Sequence, residues 1–152
     1  MNTQQLRMVS TLIGEGGTAV LTTCGKDGMP HATWMNALVN DRLREVIAIT
    51  SPESRKALNL AENAQAQWMF TSPSLETVAY LSGVTTIVAD HESEKYWDMV
   101  PSKAKGFYRH YRKPERHTDF AIIRTVVSNI QLIKPMGYRK TEMAYGDVAL
   151  SS

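Results

Sequence analysis

Thr18 to Val39 reads "TAVLTTCGKDGMPHATWMNALV": two β-rich runs, Thr18–Cys24 and His31–Val39, joined by Lys26, Asp27, Gly28 and Pro30. Asp-Gly between such runs is a strong hairpin signal, because glycine accepts the positive φ that a tight turn demands. Further on, "NDRLRE" supplies a second turn and Val46–Thr50 a third strand. The sheet therefore begins as an antiparallel meander.

On the N-terminal side, Leu6, Val9, Leu12 and Ile13 recur at helical spacing, with Thr3 as an N-cap. Gly14, Gly16 and Gly17 end this helix. They follow a helix and precede a strand, the reverse of the strand, glycine, helix order of a dinucleotide loop. On the C-terminal side, "AQWMFTSP" and "ETVAYLSGVTTIVAD" read as strands, with Gly83 marking a bulge or a bend that curls the sheet. "HESEKYWDMV" and "SKAKGFYRHY" read as short helices split at Pro101, and "DFAIIRTVVSNIQLI" as a β-branched central strand. The tail from Pro135 to Ser152 has weak periodicity, which predicts a mobile segment or one that packs on a partner. Without the alternation of a parallel sheet, this order predicts a mainly β protein: about six antiparallel strands in a barrel with peripheral helices. At 152 residues the expectation is one domain, 1–152.

A formal charge of +2 is too small for a nucleic-acid-binding surface, and "RHYRKPERH", Arg109 to His117, reads as a solvated loop. Neither a signal peptide nor a membrane-spanning run is expected, and the single cysteine, Cys24, fits a reducing compartment; the cytosol is the expected location. Cys24 reads as a small buried hydrophobe. The four histidines, at 31, 91, 110 and 117, share no metal-ligand spacing, so no metal site is expected. Trp68, Trp97, Phe107, Tyr108 and Tyr111 read as core or interface residues, because basic residues do not interleave them on one strand face.

The stretch after the third strand, "ITSPESRKALNLAEN" from Ile49 to Asn63, is the chemically distinctive one. Ser51 and Pro52 suit an N-cap and a first helical position, although Ser54 serves equally well as the start. Ser54, Arg55 and Lys56 then fall in or near the first turn. There the helix already favours an anion, and each cation costs roughly 0.3–1 kcal/mol. Two readings remain open: Glu53 or other acidic neighbours neutralise the pair, or a phosphate does so with hydroxyl, backbone and charge-assisted bonds.

"PHATWMNALV", the turn after it, "VIAITSPESRKALNLAENAQAQWMF" and the strand with Gly83 together resemble the FMN-binding split β-barrel family that includes pyridoxamine 5′-phosphate oxidase. The resemblance spans about Thr18 to Asp90. The compact length and the pair Tyr96 and Trp97 are more similar to its general stress protein branch. It implies a six-stranded antiparallel split barrel and a homodimer with flavin sites between subunits. It also implies that Ser54, Arg55 and Lys56 grip the FMN phosphate, that Thr50 and Ser51 face the flavin, and that His31, Ala32, Thr33 and Trp34 run along its ring and ribityl chain. The function implied is a flavin-dependent oxidoreductase with a small-molecule electron donor and acceptor and no assigned catalytic side chain. A flavin-binding or stress-related sensor module is the alternative, as is the same barrel holding deazaflavin or haem. Two features depart from the oxidase itself. His31 stands where it carries arginine, and Thr77 and Val78 stand where it carries glutamine. Its C-terminal tryptophan and arginine motif has no match in "IQLIKPMGYRKTEMAYGDVALSS", so the resemblance gives no support to vitamin B6 oxidation.

Overall fold

A computed structural model of the chain describes residues 1–16, 18–39, 42–99 and 120–145. The element order is α1 (Thr3–Gly16), β1 (Thr18–Cys24), β2 (Pro30–Val39), β3 (Glu45–Thr50), α2 (Arg55–Glu62), β4 (Gln65–Thr71), β5 (Val78–Ile87), α3 (Asp90–Met99), β6 (Ala121–Lys134) and β7 (Arg139–Ala144), with a 3₁₀ turn at Pro135–Gly137 before the last strand. The hairpin forms as the sequence predicts: Cys24 pairs with Pro30, Gly28 takes φ +76°, and the Asp27 carboxylate accepts the Met29 N–H at 3.0 Å. The start of α1 differs by one residue from expectation. Asn2 is its N-cap, exchanging bonds with Gln5 in a capping box, and Thr3 is the first helical residue.

The sheet runs β3-β2-β1-β4-β5-β6-β7, and a further β3–β6 ladder closes its first six strands into an antiparallel barrel. This is the expected split barrel. Strand β6 makes the closure possible because it is long. One edge pairs with β5 along its length, while the other is divided: residues 121–126 pair with β3 and residues 129–134 with β7. At the junction Val127 donates its N–H to the Arg44 carbonyl at 2.8 Å, and the Tyr145 N–H donates to the Ser128 carbonyl at 2.8 Å. The Tyr145 hydroxyl also reaches the Arg42 carbonyl, and the Arg44 guanidinium lies over the Tyr145 ring.

Ser128 is an extra residue in β6, since Asn129 pairs with Ser82 and Val127 with Gly83. The bulge expected at Gly83 is therefore real, but the inserted residue lies on the opposite strand. It switches the inward face of β6 from Ile123, Thr125 and Val127 to Ile130 and Leu132, all buried in the main core. The kinked β6 backbone presses on Gly83, where a Cβ would stand 1.9 Å from the Val126 carbonyl oxygen.

Leu21, Val46, Ala48, Trp68, Phe70 and Leu81 fill the barrel from the remaining strands. Trp68 is fully buried, and its indole N–H donates to the Thr125 hydroxyl at 2.8 Å, which in turn bonds the Thr85 hydroxyl at 2.7 Å. Three strands are thus tied by polar groups whose bonds are all made inside the core. Strand β3 is buried on both faces: Val46 and Ala48 point into the barrel, and Ile47 and Ile49 lie in a second cluster with Ile122 and Val88 beneath Tyr96 and Trp97 of α3. That explains its unbroken apolar run. Arg124 and Glu45 form an ion pair across the β3–β6 ladder.

Helix α1 precedes β1 at one end of the barrel and buries Val9, Leu12 and Ile13 there. Helix α2 joins the end of β3 to the start of β4, and so lies at the opposite end. One expectation needs amendment. Part of the tail beginning at Pro135 is strand β7, whose Gln131–Glu142 and Asn129–Glu142 side-chain bonds reinforce its ladder. The second helix expected near Ser102–Tyr111, together with His110, His117, Phe107, Tyr108, Tyr111 and residues 146–152, lies outside the described residues.

Because the Val126 carbonyl belongs to backbone fixed on both edges, Gly83→Ala is expected to destabilise the fold by about 3 kcal/mol, at the upper end for overpacking. A urea-unfolding midpoint indistinguishable from that of the parent chain would refute this account of the bulge.

Candidate functional site

Strand β3 ends at Thr50, whose Cα partner across the closing ladder is Ala121. The chain then leaves the barrel through a tight turn in which the Ser54 N–H bonds the Ser51 carbonyl at 3.1 Å and the Glu53 N–H bonds the Ser51 hydroxyl at 3.3 Å. Pro52 sits in this turn, and Ser51 is not the cap. Ser54 is the N-cap: its extended backbone precedes Arg55, and its hydroxyl oxygen accepts from the Ala57 N–H at 3.3 Å. Arg55 and Lys56 are thus the first two helical residues.

These side chains converge on one hydroxyl. Thr50 Oγ1 lies 3.1 Å from Ser54 Oγ and accepts from Lys56 Nζ at 3.2 Å. Thr50 is buried and Ser54 and Lys56 are half-buried. Their mutual bond uses one of the two hydroxyl hydrogens, so one remains to be donated, together with two of the three ammonium hydrogens of Lys56. Burial holds the Lys56 ammonium below its ordinary pKa, since its charged form is desolvated. Among the described residues, neither Arg55 nor Lys56 forms an ion pair with Glu53 or any other carboxylate. Among the described residues, the acidic neutralisation left open by the sequence is therefore not built. The donor set is cationic, rich in hydrogens and short of acceptors, which is the chemistry a phosphate group fits.

The other expected residues divide by strand geometry. His31 and Thr33 pair with Thr23 and Leu21, which point into the barrel, and both are half-buried. Ala32 and Trp34 alternate to the outer face, where Trp34 is 75% exposed. Ser51 and Arg55 are exposed at the rim. The start of β2, the end of β3 and the start of α2 all lie at the same end of the barrel. The structure joins Thr50, Ser54 and Lys56 by direct bonds and sets Ser51 and Arg55 beside them in the chain, whereas His31 to Trp34 form a separate flank. Among the described residues no three His, Cys, Asp or Glu side chains gather as a metal site, and no helix is long and apolar enough to cross a membrane.

A family model described as pyridoxamine 5′-phosphate oxidase matches residues 8–134. The chain belongs to that family. A pyridoxine/pyridoxamine 5′-phosphate oxidase from Acinetobacter baylyi is 32% identical over 81 residues, 53% of this chain and 37% of that protein. The chain thus spans well under half the length of this relative. Among solved structures, a protein related to general stress protein 26 from Clostridium acetobutylicum superposes with a TM-score of 0.79 at 15% identity, covering 97% of this chain and 99% of that one. A haem-binding protein from Mycobacterium smegmatis superposes at 0.72 with 18% identity, covering 95% of this chain and 59% of that one. At these identities the superpositions establish a shared barrel, not a shared ligand.

Lys56 carries a pKa lowered from 10.5, so between its folded and unfolded values the unfolded chain binds more protons and stability rises with pH. Removing the ammonium relieves the same burden. Lys56→Met is expected to raise the thermal midpoint of the ligand-free protein at neutral pH, with the gap narrowing as pH approaches 10.5. A variant that melts below the parent at neutral pH, or a gap independent of pH, would contradict this.

Proposed function

We propose that the chain binds FMN with its phosphate between Ser54, Arg55 and Lys56, and acts as a flavin-dependent oxidoreductase on small molecules. The observation that carries this reading is the half-buried Lys56 ammonium beside the Thr50 and Ser54 hydroxyls, with no carboxylate partner among the described residues. Family membership supports the flavin, since the matched model and the Acinetobacter baylyi relative are both pyridoxamine 5′-phosphate oxidases. The reading has Thr50 and Ser51 face the flavin, and His31, Ala32, Thr33 and Trp34 run along its ring and ribityl chain. It also places the working unit in the cytosol as a homodimer, with each flavin between two subunits.

When bound, the flavin supplies hydride or electron transfer through its N5. The chain's own residues do the rest. Arg55 offers a fork of N–H donors to two phosphate oxygens, Lys56 a point charge, and the α2 N–H groups further donors. The exposed indole of Trp34 offers an apolar plane on the outer face of β2. No side chain is assigned proton transfer.

The same barrel is shared with a haem-binding protein, so the absorption spectrum of the freshly purified protein is the deciding first measurement. A flavin spectrum is expected; a Soret band or a deazaflavin spectrum would replace the reading. Bleaching of the bound flavin by NADH or NADPH, and reoxidation by a defined acceptor, would support turnover, and a flavin that no such donor reduces would make the chain a binding or sensor module. Arg55→Ala combined with Lys56→Ala should weaken FMN binding by about 3 kcal/mol, on the order of a hundredfold in Kd. Unchanged affinity in a fluorescence titration of that variant would refute the phosphate assignment.

A further inference from the structure

Asn59 is 4% exposed on the barrel-facing side of α2, and its Nδ2 donates to the Thr23 hydroxyl at 3.1 Å, a group only 1% exposed at the end of β1. Thirty-six positions separate the two residues. A buried polar pair at this site is unexpected from burial alone, since Ala57 and Leu60 already supply the apolar face that α2 needs to pack. The backbone is also shaped around it: a Cβ on Gly25 would stand 2.6 Å from Asn59 Oδ1. Gly25 opens the β1–β2 turn, accepting the Gly28 N–H at 3.1 Å.

Thr23 is in register with His31 on β2. The Asn59–Thr23 bond therefore ties α2, which carries Ser54, Arg55 and Lys56, to the hairpin that carries His31, Ala32, Thr33 and Trp34. Apolar contacts between a short helix and a barrel rim permit sliding, because they are non-directional; a buried hydrogen bond fixes one position. The Thr50 bonds hold the start of this eight-residue helix to β3, and the Asn59–Thr23 bond near its middle fixes it relative to the hairpin.

We propose that Asn59 is a positioning residue which, through Thr23 and the space left by Gly25, sets the distance between the phosphate grip and the β2 flank, and so selects phosphorylated over unphosphorylated flavin. This rests on the FMN reading above. FMN touches both ends of that span, whereas riboflavin lacks the phosphate and touches only the β2 flank and the end of β3, neither of which belongs to α2. Displacing α2 therefore penalises FMN and leaves riboflavin nearly unaffected.

FMN and riboflavin are titrated by fluorescence quenching against the parent chain, Thr23→Val and Gly25→Ala. Thr23→Val keeps the volume and deletes the acceptor; Gly25→Ala pushes Asn59 aside without touching its partner. If either variant unfolds, as judged by circular dichroism, the other carries the test. The expected result is a loss of FMN affinity of about tenfold or more, with riboflavin affinity changed by less than about twofold. Equal loss for both ligands would make the pair a structural tie only and overturn the proposal, as would unchanged affinity for both. The Arg55→Ala, Lys56→Ala variant separates the two levels. If it loses the preference for FMN while Thr23→Val and Gly25→Ala keep it, the positioning role fails alone. If it keeps the preference, the phosphate reading fails as well.

Discussion

The ladder between β3 and β6 is the constraint on which the rest depends. Six pairs, from Glu45 with Val126 to Thr50 with Ala121, convert an open meander into a barrel and leave the β3 backbone hydrogen-bonded on the β2 side and the β6 side. Both faces of β3 are buried as well, and the β6 ladder continues to its last residue after the β2 ladder has stopped at Ala48. Thr50 is that residue, buried and in register with Ala121 of β6, and its hydroxyl receives Lys56 and meets Ser54. The chain must turn away from the rim immediately afterwards, and the turn at Ser51–Ser54 delivers the start of α2 back to the same hydroxyl.

Much of this was legible because it is local. The alternation and the Asp-Gly turn of Thr18–Val39 fix the first hairpin, and the apolar run of β3 and the β-branched run of β6 mark the doubly buried strands. The cap of α2 was ambiguous for a physical reason: Ser51 with Pro52 satisfies the same local preferences as Ser54. The choice is made by Thr50, which bonds the Ser54 hydroxyl, and by Ser51, which closes the turn. Strand β7 carries little sequence signal because it buries little; Arg139, Lys140, Glu142 and Ala144 are exposed, and its order comes from pairing with β6. The bulge was expected at Gly83, but only the register shows that the added residue is Ser128. Within the candidate site, spacing puts Ser54, Arg55 and Lys56 at the start of a helix but leaves their partner open, and only the family resemblance points to a phosphate. Asn59 carries no such signal, because its meaning lies in a contact with Thr23 formed only on folding.

The site also illustrates a conflict between local and global preferences. Cations in the first turn oppose the α2 macrodipole, and desolvation of Lys56 adds to the cost. The exposed Arg55 escapes the second penalty but not the first. Local rules broken in this way, at one end of an otherwise well-packed barrel, are expected where a sequence is shaped for a ligand rather than for stability. By contrast, the buried polar groups of Trp68, Thr85 and Thr125 satisfy one another inside the barrel.

The divided edge of β6 has a consequence for how the chain is made. During synthesis β1 to β5 emerge well before residues 121–126, and hairpins such as β1–β2 and β4–β5 can zip as soon as they leave the ribosome. The outer edge of β3 must wait for a segment more than seventy positions downstream, so a nascent chain carries an apolar, unbonded strand margin throughout that interval. Crowded polysomes or a stalled ribosome would prolong that interval, which makes this margin the point at which neighbouring nascent copies are most prone to cross-pair.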